Sequence, residues 1–213
     1  SRMLRLFLAC LALAMPAALA ADPADITASS RGVVRVVLVE EDESGEFSLL
    51  GHGSGIAVAP DLILTNAHVV LEMEESEAVR VLIVPPEGRK GYVATLEGYS
   101  QGQDLALLRI KGGTLPVATL SPQSVPDGAE VYAVGYPGNV DLAQGLNALD
   151  MIMPQPPVKA QGTSSAGRAS KSFDTVLHTA PIASGNSGGP LMDGCGRVVG
   201  INSFGTNNGD ASD

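Results

Sequence analysis

Tryptophan is absent from this chain, and aromatic residues of any kind make up only 4% of its 213 positions. Glycine and proline are by contrast plentiful, at 25 and 14. That balance favours many short strands and turns over long helices. Positive charge is scarce as well: 13 Lys and Arg face 23 Asp and Glu, for a net charge of −10. No basic stripe exists to neutralise a phosphate backbone, so nucleic acid is excluded as an expected partner. Heptads, a nucleotide-binding glycine pattern and metal-ligand spacings of Cys and His are also missing, and neither a cofactor nor a metal is expected. What remains is a 45% hydrophobic chain long enough for one large or two small domains with a real core.

The first twenty residues read as a processing signal. Arg2 and Arg5 form a basic start, Leu6 to Met15 is an apolar run too short to span a bilayer, and Ala18-Leu19-Ala20 is an A-x-A cleavage site. Export to the periplasm or the exterior is expected, with cleavage near Ala20–Ala21 and no stable membrane span afterwards. Cleavage removes two arginines and no acid, moving the net charge from −10 to −12. It also removes Cys10, which lies too early for lipid attachment. Cys195 is then alone, so no intramolecular disulfide can form. Set in Asp193-Gly194-Cys195-Gly196, it reads as a small apolar filler of a hairpin turn rather than a reactive thiol.

From Arg31 onward strands follow one another at hairpin spacing. Gly32–Val39, Phe47–Leu50 with Gly55–Val58 (a pair kinked at Gly51–Gly55), Leu62–Thr65, Ala78–Val84, Tyr92–Leu96 and Leu105–Ile110 form a first series. Glu130–Val134, Val158–Gln161, Thr175–Thr179, Gly189–Met192 and Arg197–Asn202 form a second. Between them, Lys111-Gly112-Gly113 through Pro126-Asp127-Gly128 is the natural boundary. The reading is an all-β chain of two small barrels sharing a cleft: a first domain over 31–113 and a second over 128–213. Asp141–Pro157 and Gly162–Lys171 are expected to be loop-like.

The chemistry centres on Gly185-Asn186-Ser187-Gly188-Gly189-Pro190. Two glycines that tolerate positive φ bracket one serine, so a tight turn could lift its hydroxyl and aim successive N–H groups at one spot. Taken alone this string also fits an ordinary glycine-rich loop. A serine needs a base, and the three histidines, His52, His68 and His178, all precede it. An α/β-hydrolase places its triad histidine after the serine and is thereby excluded; the order His, Asp, Ser is that of the two-barrel serine proteases. His68, in Leu64-Thr65-Asn66-Ala67-His68-Val69-Val70, stands where a strand gives way to one helical turn, and is the best base. His52, between Gly51 and Gly53, reads as a surface or structural residue of a hairpin bend. His178 lies on the strand feeding the serine loop, a geometry that argues against it. Asp104 opens the apolar strand Leu105 to Ile110; a partly buried carboxylate there needs a partner, and the His68 Nδ1–H would be one. The acidic run Glu72, Glu74, Glu75 and Glu77 reads as a solvated loop, with at most a weak bias toward basic substrates.

Together, Gly53-Ser54-Gly55, the His68 segment, Asp104-Leu105-Ala106-Leu107-Leu108, Gly185 to Pro190 and Val199-Gly200-Ile201-Asn202 resemble the trypsin/chymotrypsin-fold serine peptidases, in the bacterial Deg/HtrA-type branch. The resemblance runs in order from about Gly32 to Phe204. It implies two antiparallel six-stranded barrels, His68 as general base, Asp104 as its orienter, Ser187 as nucleophile and an oxyanion hole from the N–H groups of Gly185 and Ser187. Ser203-Phe204-Gly205 resembles the edge that pairs with an extended substrate backbone. The implied function is a secreted or periplasmic serine endopeptidase acting through an acyl-enzyme on polypeptide substrates; the alternative is a catalytically idle relative that binds peptides in the same cleft.

Departures from trypsin sharpen this. Asn186 replaces the aspartate that receives a newly cut N-terminus, so activation by that salt bridge is not expected. Ala180 to Ser184 offers no acid to a specificity pocket, which disfavours Arg or Lys and favours a small or medium apolar residue before the cut. Because the sequence stops at Asp213, the second barrel is expected to lack its final strand and terminal helix, with a PDZ domain either beyond that point or absent.

Overall fold

In the computed structural model, which describes residues 23–88, 90–169 and 174–203, a short helix α1 (Pro23–Ser29) leads into strand β1 (Val33–Glu41). Strands β2 (Phe47–Ala59), β3 (Leu62–Thr65), β4 (Val79–Val84), β5 (Tyr92–Ser100) and β6 (Leu105–Ile110) complete a closed antiparallel barrel in the order β1-β2-β3-β6-β5-β4, with the single-turn helices α2 (Ala67–Val70) and α3 (Glu72–Glu75) between β3 and β4. Strand β1 explains its own composition. Val34, Val36 and Leu38 point into the barrel with Ile63, Val81, Ile83 and Leu108. Val33 joins Ile56, Val134, Tyr136 and Met192 against the second barrel. Val37 and Val39 pack with Val84, Leu49 and Ile152 on the outer side. A strand covered on both faces reads as a continuous apolar run rather than an alternating one.

Strands β7 (Glu130–Gly135), β8 (Val158–Ala169), β9 (Asp174–His178), β10 (Pro190–Asp193) and β11 (Val198–Ile201) form the second barrel, five strands among the described residues, ordered β11-β10-β7-β8-β9. The connection between the barrels is stitched to both. Leu115 and Ala118 donate N–H bonds to the Pro60 and Ala57 carbonyls, at 2.8 and 3.0 Å, while Ser121 and Val198 exchange bonds with Val198 and Thr119 at 2.8 Å. The fold is thus an all-β double barrel of chymotrypsin-like architecture.

Several local expectations need correction. β2 is one continuous strand, not two pieces kinked at Gly51–Gly55. Gly53 and Gly55 serve close packing: a Cβ at Gly55 would lie 2.8 Å from the Ile63 side chain. His52 therefore sits in mid-strand with its side chain only 15% exposed, and not in a surface bend. The segment after β7 is not structureless, because helix α4 (Gly138–Ala143) and helix α5 (Ala148–Met151) occupy it. Asn147 caps α5 reciprocally, its side chain accepting from the Asp150 N–H and its own N–H donating to the Asp150 carboxylate. β8 continues to Ala169, because pairing with β9 supplies the backbone bonds that its polar Gly/Ser sequence does not advertise. Cys195 is exposed at the β10–β11 turn and fills no core. That turn is organised by Asp193 Oδ1, which accepts the Cys195 and Arg197 N–H groups at 2.9 Å each. Among the described residues no helix is long and apolar enough to cross a membrane.

Candidate active site

Strand β3 ends at Thr65, and Asn66 turns the chain, still extended, into the single-turn helix α2 (Ala67–Val70) that carries His68. Across from it, the β5–β6 turn delivers Asp104 with φ +52°, the single non-glycine residue in the left-handed region among the described residues. Aspartate tolerates that conformation better than most residues, and such strain persists where surrounding bonds over-determine it. Here they do. Asp104 Oδ1 accepts the His68 backbone N–H at 2.9 Å, and Oδ2 pairs with His68 Nδ1 at 2.7 Å. The Asp104 carbonyl takes a 2.9 Å bond from Asn66 Nδ2, and Ser203 Oγ donates to Oδ2 at 3.0 Å. Because an ionised carboxylate only accepts, Nδ1 is the donor of this bond, and in the neutral ring that arrangement leaves Nε2 its lone pair; the ring is 47% exposed.

Ser187 is 5% exposed and lies in the second of two successive turns. In the first, Asn186 N–H closes on the Ala183 carbonyl with Gly185 at φ +99°; in the second, Gly189 N–H closes on the Asn186 carbonyl with Gly188 at φ +87°. Positive φ at the third position is what a type II turn requires of glycine. The serine loop docks on the residues just before His68. A Cβ at Gly188 would stand 2.2 Å from Thr65 Oγ1 and 3.0 Å from the Asn66 nitrogen. One at Gly53 would be wedged between Val69 and the Ser187 carbonyl oxygen, at 2.7 and 3.1 Å. The fold therefore gathers the His68 helix, Asp104 and the Ser187 loop along one seam between the barrels.

The other expected residues distribute as follows. His178, at the end of β9, pairs through Nε2 with Asn202 Oδ1 at 2.9 Å. His52 faces Asp141 of α4, Nε2 to Oδ2 3.8 Å, beside Arg35. Burial there holds its ring below the ordinary histidine value, overriding the pull of Asp141. Glu74, Glu75 and Glu77 are exposed. Ser203 turns its side chain toward Asp104, a contact that the sequence reading missed; Phe204 and Gly205 lie outside the described residues. Asn66 and Ser54 were also missed as site residues, although both sit inside motifs quoted for the resemblance. Among the described residues no cluster of three or more His, Cys, Asp or Glu could hold a metal ion.

Two antiparallel barrels with a histidine–aspartate pair and a glycine-framed serine loop on the seam between them define the chymotrypsin-like class. Within that class, the chain belongs to the trypsin-like peptidase domain family, whose family model matches residues 53–201. It is 33% identical over 76% of its length to "Serine protease HTRA2, mitochondrial" of Drosophila willistoni, covering 35% of that protein. It is 36% identical over 71% of its length to a Pseudomonas fluorescens protein named "Probable periplasmic serine endoprotease DegP-like", covering 29% of it. The crystal structure of a serine endoprotease from Yersinia pestis superposes with a TM-score of 0.63 at 26% identity, covering 84% of this chain and 56% of that one. The chain thus spans about a third of the length of these curated relatives.

Proposed function

We propose that this chain is a serine endopeptidase working by acyl transfer. Ser187 Oγ attacks the carbonyl carbon of the scissile peptide as its proton passes to His68 Nε2. The Gly185 and Ser187 N–H groups hold the tetrahedral oxyanion. His68 then protonates the leaving amine, and water repeats the sequence to release the acid. The observation that carries this reading is the grip of Asp104 on both the backbone and the ring of His68, at 2.9 and 2.7 Å. It selects the tautomer a general base needs, an arrangement a purely peptide-binding cleft has no use for.

Substrate choice follows from a cavity of about 140 Å³ beside Asn186, lined by Ala133, Pro137, Val158, Pro181 and Ile182 among others and, among the described residues, by no charged side chain. It suits a small or medium apolar residue before the cut, with Ser203 to Gly205 pairing the substrate backbone. Residues 1–20 act as the export signal, which places the enzyme in the periplasm or outside the cell.

A fluorophosphonate probe tests the central point. Wild type should label and Ser187→Ala should not. Peptide binding without labelling would replace the enzyme by an idle binding relative, and equal labelling of Ser187→Ala would remove Ser187 from the reaction. On a fluorogenic peptide library, cleavage after Ala or Val should exceed cleavage after Arg.

A further inference from the structure

Ser54 on β2 is completely buried, and each of its polar groups is used. Its Oγ donates to the Gly185 carbonyl at 2.6 Å and accepts the Tyr136 N–H at 2.9 Å. Its N–H donates to the Ser187 carbonyl at 2.8 Å, and its carbonyl accepts Thr65 Oγ1 at 2.7 Å. A first-barrel residue thereby holds both ends of the Gly185–Ser187 stretch in the second barrel.

We infer that Ser54 is a positioning residue for acyl transfer, its hydroxyl fixing the backbone of Gly185 so that the Gly185 N–H keeps its aim at the oxyanion. The inference rests on the proposed peptidase reading. Its physics is the freedom of glycine. Gly185 sits at φ +99°, and no side chain restricts its rotation. In a trans peptide the C=O and N–H point opposite ways, so the Gly185 N–H is aimed by the Ser184 carbonyl of its own peptide, and holding the Gly185 carbonyl fixes the next peptide and with it the rotation of Gly185 between the two. The Gly138 N–H pins the Ser184 carbonyl at 2.6 Å, and Ser54 Oγ pins that of Gly185. Removing the hydroxyl frees one of these two anchors and leaves the Gly185 carbonyl and Tyr136 N–H without this partner. An N–H that is not already aimed when charge develops stabilises the transition state less, while ground-state binding is little changed.

The experiment compares wild type, Ser54→Ala and Ser54→Cys with Ile63→Val, an interior deletion in the first barrel that costs stability away from the loop. Active-site titration corrects every rate for the folded, competent fraction. Per titrated site, Ser54→Ala should lose about tenfold in kcat with KM within about twofold, and should bind a peptide boronic acid about tenfold more weakly. Ser54→Cys, which keeps a weak donor, should fall between. Ile63→Val should lower the melting temperature and leave kcat per site unchanged. An unchanged kcat per site in Ser54→Ala, or an equal loss in Ile63→Val, would make Ser54 merely structural. If wild type itself fails to label with a fluorophosphonate, the peptidase reading falls instead.

Discussion

At the scale of single residues, Asp104 does two things that substitutions can separate. Its carboxylate sets the His68 tautomer, and its backbone occupies φ +52°. Asparagine tolerates that backbone as well as aspartate does but presents an N–H₂ where the ring needs an acceptor. Asp104→Asn should therefore keep its melting temperature within a few degrees while kcat falls by about 10⁴-fold, checked by circular dichroism and peptide hydrolysis. A loss under tenfold would show that His68 does not need this partner. The pairing of His68 with Asp104 was legible from the sequence because residue type and chain order constrain the chemistry. The bonds of Ser54 to the serine loop were not, since nothing local marks one buried serine from another.

At the scale of elements, the helical segment after β7 buries a charge. Asp141 of α4 meets Arg35 of β1 at 3.0 Å, their side chains 10% and 3% exposed, with the Arg35 guanidinium 4.7 Å over the Tyr136 ring. Burial pushes the Tyr136 phenol well above its usual range, and its hydroxyl donates to the Gln155 carbonyl. Removing one partner of such a pair leaves an uncompensated charge, so Asp141→Ala should cost about 3–5 kcal/mol in denaturant unfolding. His52 shares this cluster and touches the serine loop: a Cβ at Gly185 would lie 2.7 Å from its ring. Its pKa in the folded chain lies below the ordinary value, with Asp141 raising it and Arg35 and burial lowering it. The unfolded chain then binds this proton first. Stability from neutral His52 is complete above about pH 6.5 and is lost as pH falls below it. Unfolding at pH 5.5 and 7.5 should show this loss in wild type and less of it in His52→Gln; equal slopes would exclude His52 as the source.

At the scale of the whole molecule, the two barrels hold together through an apolar seam. Ile56, fully buried, packs there with Val33, Val134 and Met192. Ile56→Ala should destabilise by about 2–5 kcal/mol in chemical denaturation. Because the serine loop and His68 come from opposite barrels, it should also lower the titratable active fraction more than the kcat of the sites that remain.

The sequence by itself determined the strand series, the exclusion of an α/β-hydrolase and the three residues of the candidate triad. Hydrophobic runs, turn residues and the order of His, Asp and Ser are properties of the chain read end to end. Only the tertiary structure decided that β2 is continuous, that α4 carries an acid back to Arg35 across 106 positions, and that Ser54 holds the Gly185 turn from the other barrel. Those contacts join residues far apart in the chain, and no spacing or periodicity records which of many serines, arginines or aspartates folding will bring together.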